Sequence, residues 1–475
     1  MPARIETNDG QVVVREDPRT LPVAASVDVV VLGGGVAGLT AALAAAETGS
    51  RVLIIERGNC LGGTATAGMM TLFYTPYRCA HGIPKRIFDR LIEAGGAFPG
   101  EVISFDHEVF KTVAFEMVTG QHIGLLLHTI CADVIMKGNR VCGLVIENKG
   151  MRSAVLGKMF VDASGDADIA ARAGARLMRG RDADQKMRPM SLLFRLGGID
   201  VDALLAYVRA HPEEFAKDPN QMMLDIEGKN IRIFGFFGLV EEAKRQGYLF
   251  PDCHYFRIEA VMPERGTTLV NTVRIYDVDG TNPDDVTRAE IEGRRQQRKL
   301  LEFTHAFVPG FERAYVVDTA SHIGVRETRR IEGDYILTEE DIVGAVHFAD
   351  SIGVDSNRQN PKGPRHSPDG MEGAESDIET RQMVATLFTY EIPYRCLLPR
   401  GVEGVIMAGR TISANHEADG YTRNQPACMV TGQAAGVAAA LAAQAGCDAR
   451  DLNVQEIQAG LRRFGTTLHV GEVVG

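Results

Sequence analysis

Gly33, Gly35 and Gly38 fill the pattern G-x-G-x-x-G, and an acidic residue, Glu56, follows at about the 20-residue interval expected for this motif. Together they suit one chemistry, the recognition of a diphosphate flanked by a ribose. The first glycine permits a tight turn, the second lets backbone approach the diphosphate, and the third lets a helix pack closely on a strand. Val36 and Ala37 would open that helix and aim its unpaired N–H groups and positive dipole end at the anion. Glu56 can accept from both ribose hydroxyls and would repel a 2′-phosphate. The elements that must position these residues are present in the pattern. Residues 27–32 are a short, largely β-branched apolar run, as a strand buried on both faces requires. Residues 37–48 are Ala-rich and helical, and residues 52–55 form the next strand, ending at Glu56. With a strand before it, a helix after it and the acid in place, the glycine motif has its required context, that of a dinucleotide site.

Arg57 is followed by a second loop of small residues, Cys60-Leu61-Gly62-Gly63-Thr64-Ala65-Thr66-Ala67-Gly68. Such a loop suits a ligand that continues past its diphosphate toward a ribityl chain and a flavin ring, so FAD is expected rather than NAD. Further segments follow in order. Residues 125–129 and 141–147 read as strands. Residues 159–166 form a strand ending in D-A-S-G-D, with Ala163, Ser164, Gly165 and Asp166 at its tip. Residues 404–410, G-V-I-M-A-G-R, bring Gly409 and Arg410 to another strand end. Residues 431–436, T-G-Q-A-A-G, are expected to open a helix whose first N–H groups, at Gly432, Gln433 and Ala434, face the flavin. In these segments the chain resembles FAD-dependent oxidoreductases of the glutathione-reductase type, which carry E-R and then L-G-G after the second strand. It is also similar to a loosely defined group of them with the motifs I-P-Y-R-x-L-L-P and G-R-x-I-S-x-x-H, here residues 392–399 and 409–416. The resemblance implies an α/β, Rossmann-like FAD-binding domain with an inserted α+β substrate domain, FAD as cofactor, and redox chemistry.

In such an enzyme the flavin carries the redox step, and protein groups bind substrate, move protons and stabilise charge. His416, between the Gly409-Arg410 strand end and the following helix, is the first choice for general acid/base work because imidazole titrates near neutrality. Arg423 could hold an anionic or carbonyl group, or else pair with Glu417 or Asp419 while His416 bonds backbone in a turn. Read as a strand, residues 321–330 put His322, Arg326, Thr328 and Arg330 on one face. That polar face either lines a substrate cavity or carries an ion-pair network, and Arg326 is its best substrate anchor, since a guanidinium fork matches a carboxylate. Tyr394 and Arg395 either reach the pocket or fix a turn, and His81 is a weaker candidate. Metal-ligand spacing on a helix is absent, so no metal is expected, and no G-x-S-x-G elbow points to hydrolysis.

At 475 residues the chain is too long for one ordinary core. The flavin pattern occupies residues 27–188 and 386–475. Residues 189–385 are expected to form the substrate-side domain, with strands at 193–196 and 268–272, a charged helix at 287–303 and a long polar loop at 355–378. Residues 1–26 read as a polar leader with one strand at 11–15. The net charge of −11 and the lack of a long basic run argue against nucleic-acid binding. No stretch reads as a membrane span and the first residues have no apolar core, so a cytoplasmic enzyme is expected. None of the eight cysteines lies in C-x-x-C, which speaks against a redox disulfide or an iron–sulfur cluster, and Cys60 is read as packing. No second G-x-G-x-x-G follows, so a separate NAD(P)H domain is not expected. The expected function is hydride transfer from a small organic substrate to flavin N5, by a dehydrogenase or oxidase passing electrons to O₂, a quinone or a partner protein. Two alternatives stay open: reduction of an activated C=C bond with Arg326 as proton donor, and an electron-relay subunit. A homo-oligomer is compatible with either.

Overall fold

The computed structural model describes residues 4–8, 11–16, 18–215, 224–226, 231–358, 367–369 and 387–473. Its first core is built on a seven-stranded sheet in which Gly124–Leu126, Val52–Ile55, Val23–Leu32 and Arg152–Asp162 lie side by side and parallel. The apolar run at residues 29–32 is buried, as a central strand covered on both faces must be. Arg152–Asp162 is long enough to serve two neighbours on its other edge. Its first half pairs antiparallel with Arg140–Glu147, which pairs in turn with Ile130–Lys137. Its last residues pair parallel with Val405–Met407. The parallel strands therefore finish at one edge, and Gly33, Glu56, Ala163 and Gly409 are the residues just beyond them. That edge is where an open α/β sheet places its ligand.

Helix Val36–Glu47 leaves the glycine turn and packs along helix Gln425–Ala445. Small residues allow the approach: a Cβ on Gly432 would lie 2.1 Å from the carbonyl oxygen of Ala37. Gln425–Ala445 is long and apolar enough to cross a bilayer, yet it is the buried core helix of this fold.

A second core surrounds an antiparallel six-stranded sheet in the order Leu224–Asp225, Ile231–Gly235, Phe256–Met262, Thr267–Val270, Phe194–Gly197, Tyr315–Thr319. The charged helix runs over Pro283–Phe307 and buries Ala289, Leu300 and Phe303 in it. Residues from Ile331 to Ile352 join the first core instead, so the packing returns to the first core near residue 330 rather than 386. The polar loop expected from residue 355 begins later, because Ser351–Arg358 is a strand paired with Leu387–Pro393. The rest of that loop, apart from 367–369, lies outside the described residues. At the chain start, Arg4–Asn8 and Gln11–Arg15 form a two-stranded hairpin.

Within the Ser351–Arg358 pair, Asp355 is buried opposite Tyr390, and burial pushes its carboxyl up from 3.8 to about 7. Between those two values the folded chain holds a proton that the unfolded chain has released. Stability therefore falls as pH rises through this window and stays lower above it. Asp355→Asn is expected to abolish that slope, raising the urea midpoint at about pH 8 by the equivalent of a few kcal/mol while changing little at about pH 4. Parallel slopes for the two proteins across this range would contradict the assignment.

Candidate functional site

The glycine turn is held from below. Gly33 has φ +101°, and a Cβ there would come within 2.3 Å of the Ala163 carbonyl oxygen. Only glycine fits both the conformation and the contact. Gly35, by contrast, has φ −63° and faces open space, with nothing nearer to its added Cβ than Gly63 Cα at 3.9 Å. It stands at the N-cap of helix Val36–Glu47, which has no side-chain cap and no acid in its first turn. The first N–H groups, at Val36, Ala37 and Gly38, are thus left for an anion. The second loop closes over the first through Gly62 N–H donating to Gly34 O at 2.8 Å, which brings Gly62, Gly63 and Thr64 beside the turn. Glu56 accepts from the N–H groups of Gly34 and Gly58, both at 2.6 Å, and its remaining lone pairs are free to meet ribose hydroxyls.

The returning strand shapes the opposite wall. Asp162 accepts from Ser164 and from the N–H groups of Ile169 and Ala170, which fixes the turn carrying Ala163, Ser164, Gly165 and Asp166. Ser164 Oγ in turn accepts from Asp166 and Asp168 N–H, so its hydroxyl serves the turn. Arg410 reaches across from the next strand end. It donates to Gly165 O, to Asp166 Oδ1 at 2.7 Å and to Val325 O at 2.6 Å. Burial works to raise the Asp166 carboxyl, but the charges of Arg410 and Arg57 hold it below its ordinary value. Arg57 and Asp166 also line a polar cleft of ≈ 510 Å³ at this sheet edge, together with Arg172, Thr281 and Arg329. The turn, the uncapped helix, Glu56 and the open side of Gly35 fit the expected FAD.

Gly432, Gln433 and Ala434 need correction. The helix opens at Gln425, with Asn424 as N-cap and Pro426 in its first turn, so these three lie inside it. Gly432 packs on Ala37, Gln433 binds Ile83 N–H and Thr466 Oγ1, and Ala434 is core. The start signal was Asn-x-Pro, ahead of the T-G-Q-A-A-G segment.

Residues 321–328 are not a strand either; only Arg329–Ile331 is, paired with Leu177–Arg179. Gly324 makes an isolated bridge to Ser191, and beyond it each polar side chain follows its own partner. Thr328 binds Asp166 Oδ1 and Gly165 O. Arg330 is buried against Glu327 and donates to Ala414 O and Gly180 O. His322 Nδ1 donates to Ile323 O at 3.0 Å. Burial pushes its imidazole down, and the charges of Arg57 and Arg410 add to this. Arg326 donates to Pro189 O and, at 2.8 Å, to Ser191 Oγ.

That serine brings in a further group, which no motif marks. Arg274 Nη1 donates to the same Ser191 Oγ at 3.0 Å, and its Nη2 donates to Tyr255 Oη at 2.9 Å. Arg423 adds a third positive charge that Arg326 feels. Among the described residues no hydrogen bond or ion pair engages the Arg423 side chain, and its Nε is buried without a partner. Burial, followed by Arg274 and Arg423, pushes Arg326 well below the ordinary guanidinium value. Burial and then Arg188 lower Arg423 to about 10. Only the polar N-T-V-R stretch after strand Thr267–Val270 could have hinted at Arg274.

His416 opens a short helix capped by Asn415 and is buried. Its Nδ1 lies 3.0 Å from Glu327 Oε1. A carboxylate can only accept, so Nδ1 carries a proton, and in the neutral tautomer Nε2 is the nitrogen left to accept one. Glu327 also receives Arg330 and Arg188 N–H, while Arg188 Nε pairs with Asp419 at 3.3 Å. Against its burial, these groups hold the Glu327 carboxyl below its ordinary value. Asp419 is thus taken by Arg188, and Arg423 does not bond it.

Tyr394 turns out to be an anchor: it is buried and donates to Ala449 O at 2.8 Å, while Arg395 pairs with Asp350. His81 is half-buried, and its Nε2 donates to Val354 O at 2.9 Å. Cys60 is buried near Thr66, and all eight cysteines are free.

Over residues 28–461 the chain matches the family described as FAD dependent oxidoreductase. It is similar to the thiamine thiazole synthase of Aeropyrum pernix, with 36% identity over 25% of this chain and 43% of that protein. The similarity to thiamine thiazole synthase of Methanococcus aeolicus is 32% over 30% of this chain and 57% of that one. The chain thus spans about half the length of the curated relatives it matches. Among solved structures, p-nitrophenol 4-monooxygenase from Pseudomonas putida aligns with 93% of this chain and 87% of its own, at TM-score 0.48 and 11% identity. A geranylgeranyl bacteriochlorophyll reductase-like protein from Thermoplasma acidophilum covers 92% and 83%, at TM-score 0.47 and 13% identity.

Proposed function

The chain belongs to the FAD dependent oxidoreductase family and is a flavoenzyme, and from that premise we propose that it oxidises a small organic substrate bearing a carboxylate. The observation that carries this reading is the convergence of Arg274 and Arg326 on one hydroxyl, with Arg423, whose buried Nε has no partner among the described residues, in electrostatic reach. Three guanidinium groups gathered this closely repel one another, and an anion between them would relieve the repulsion. Val325, next to Arg326, is bonded to Arg410, and Arg423 lies two residues before helix Gln425–Ala445, so the cluster borders the cofactor edge. When bound, FAD supplies the two-electron acceptor. Arg326, Arg274 and Arg423 hold the carboxylate and orient the C–H to be broken. His416 Nε2 takes the proton of the substrate's hydroxyl or amine, and Glu327 balances the imidazolium that forms.

One observation favours a second reading, reduction of an activated C=C bond. In that reading Arg326, fixed on Pro189 O and Ser191 Oγ beside Arg274, would lend the proton to the developing carbanion.

The test is anaerobic mixing of the FAD-loaded protein with matched pairs of small substrates, each a carboxylate and its neutral amide. Bleaching of the flavin by the carboxylate member alone is the expected result. His416→Ala should slow that bleaching by about 10²-fold or more. Equal bleaching by the amides would end the anionic-substrate reading. Re-oxidation only by an electron-poor alkene would put the C=C reading first.

A further inference from the structure

Away from the cofactor edge, three side chains from distant segments meet on one carboxylate. His347 follows helix Glu339–Val343, Glu391 lies in strand Leu387–Pro393, and His469 precedes the turn Val470–Glu472. His347 Nδ1 is 3.2 Å from Glu391 Oε1, and His469 Nδ1 is 3.2 Å from Oε2. All three ligand atoms lie within 4.8 Å of one another. The backbone enforces this arrangement. Phe348 N–H donates to Oε2 at 2.8 Å and Val470 N–H to Oε1 at 3.1 Å, and each of these residues directly follows one of the two histidines. Docking those two N–H groups on Glu391 therefore sets both imidazoles over it.

From this geometry we infer that His347, Glu391 and His469 form a binding site for a borderline divalent cation of the zinc class. Two imidazoles and a carboxylate are a donor set that such ions take in tetrahedral sites. Ligands about 2.1 Å from a tetrahedral ion stand roughly 3.4 Å apart, close to the two 3.2 Å separations here. Glu391 is buried, and among the described residues no Lys or Arg pairs with it. A buried carboxylate needs a compensating positive charge, and the ion would provide it. His347 is exposed, which leaves a path of entry and room for water as a fourth ligand. Each Nδ1 that donates its N–H to the carboxylate would exchange that proton for the ion as it binds, the proton passing to Nε2 or to solvent. Helical spacing could not announce this site, since His347 and Glu391 alone are 44 residues apart. A bound ion would clip the C-terminal turn to strand Leu387–Pro393.

The test uses the full FAD-loaded chain, stripped with a chelator and titrated with Zn²⁺ and with Co²⁺. One saturable equivalent per chain is expected, with a tetrahedral Co²⁺ absorption on the long-wavelength side of the flavin bands. His347→Ala, at an exposed position, and His469→Ala should each weaken binding by roughly tenfold or more. Unchanged circular dichroism and an unchanged metal-free melting point would show that the variants fold. Amide exchange across residues 467–473 should slow with Zn²⁺ in the parent chain only. No saturable binding, or equal binding by the double variant, would overturn the site.

Discussion

Arg326→Ala is expected to lower kcat/KM for an anionic substrate by about 10³-fold while leaving the yellow, FAD-loaded protein as stable as before. The two halves of that expectation come from one fact. Arg326 shares Ser191 Oγ with Arg274 and feels the charges of Arg274 and Arg423, and no ion pair to it is found among the described residues. In the resting protein its charge is a burden; its removal sacrifices the bond to Pro189 O but relieves repulsion. With substrate bound, the same charge becomes half of a desolvated, hydrogen-bonded pair, and truncating one side of such a pair typically costs about 2–5 kcal/mol. Arg326→Lys keeps the charge but not the fork, so it should recover affinity only in part. Rapid-mixing flavin reduction gives the kinetic half, and urea unfolding gives the other. Loss of stability equal to the loss of activity would mean that Arg326 is a structural residue.

Gly35→Val should give a folded protein that has lost more than about 90% of its flavin, because the branched side chain would occupy the face where a diphosphate must approach. Gly35 has a φ that any residue adopts, and its missing Cβ faces open space. Gly33→Ala is the contrasting case. At φ +101°, with the Ala163 carbonyl 2.3 Å from the new methyl, it should destabilise the chain by roughly 3 kcal/mol. Absorbance of the purified protein and a denaturation curve separate the two effects. A fully yellow Gly35→Val protein would remove the diphosphate from this turn. An unstable, aggregated one would mean that Gly35 serves packing as Gly33 does.

How much of this was legible in the chain depended on distance along it. The glycine turn, its two strands and the D-A-S-G-D tip all emerged where local patterning placed them. Helix Gln425–Ala445 was placed late because it is apolar all round, so no amphipathic stripe marks its first turn. Residues 321–330 looked like a polar strand face because alternation was assumed. In the fold Glu327 is wholly buried, and His416, Arg330 and Arg188 gather round it. Tyr394 was grouped with the site by its motif, and the core claimed it through Ala449.

The glycine turn and the α/β class were legible along the chain, since backbone needs such as a positive φ or an uncapped helix start are met within a few residues. Only the tertiary structure decided which charges meet. Ser191, Arg274, Arg326 and Arg423 come from separate segments, as do His416 with Glu327 and His347 with Glu391 and His469. A buried charge must find its partner wherever packing brings one, and that partner leaves no mark at any fixed spacing.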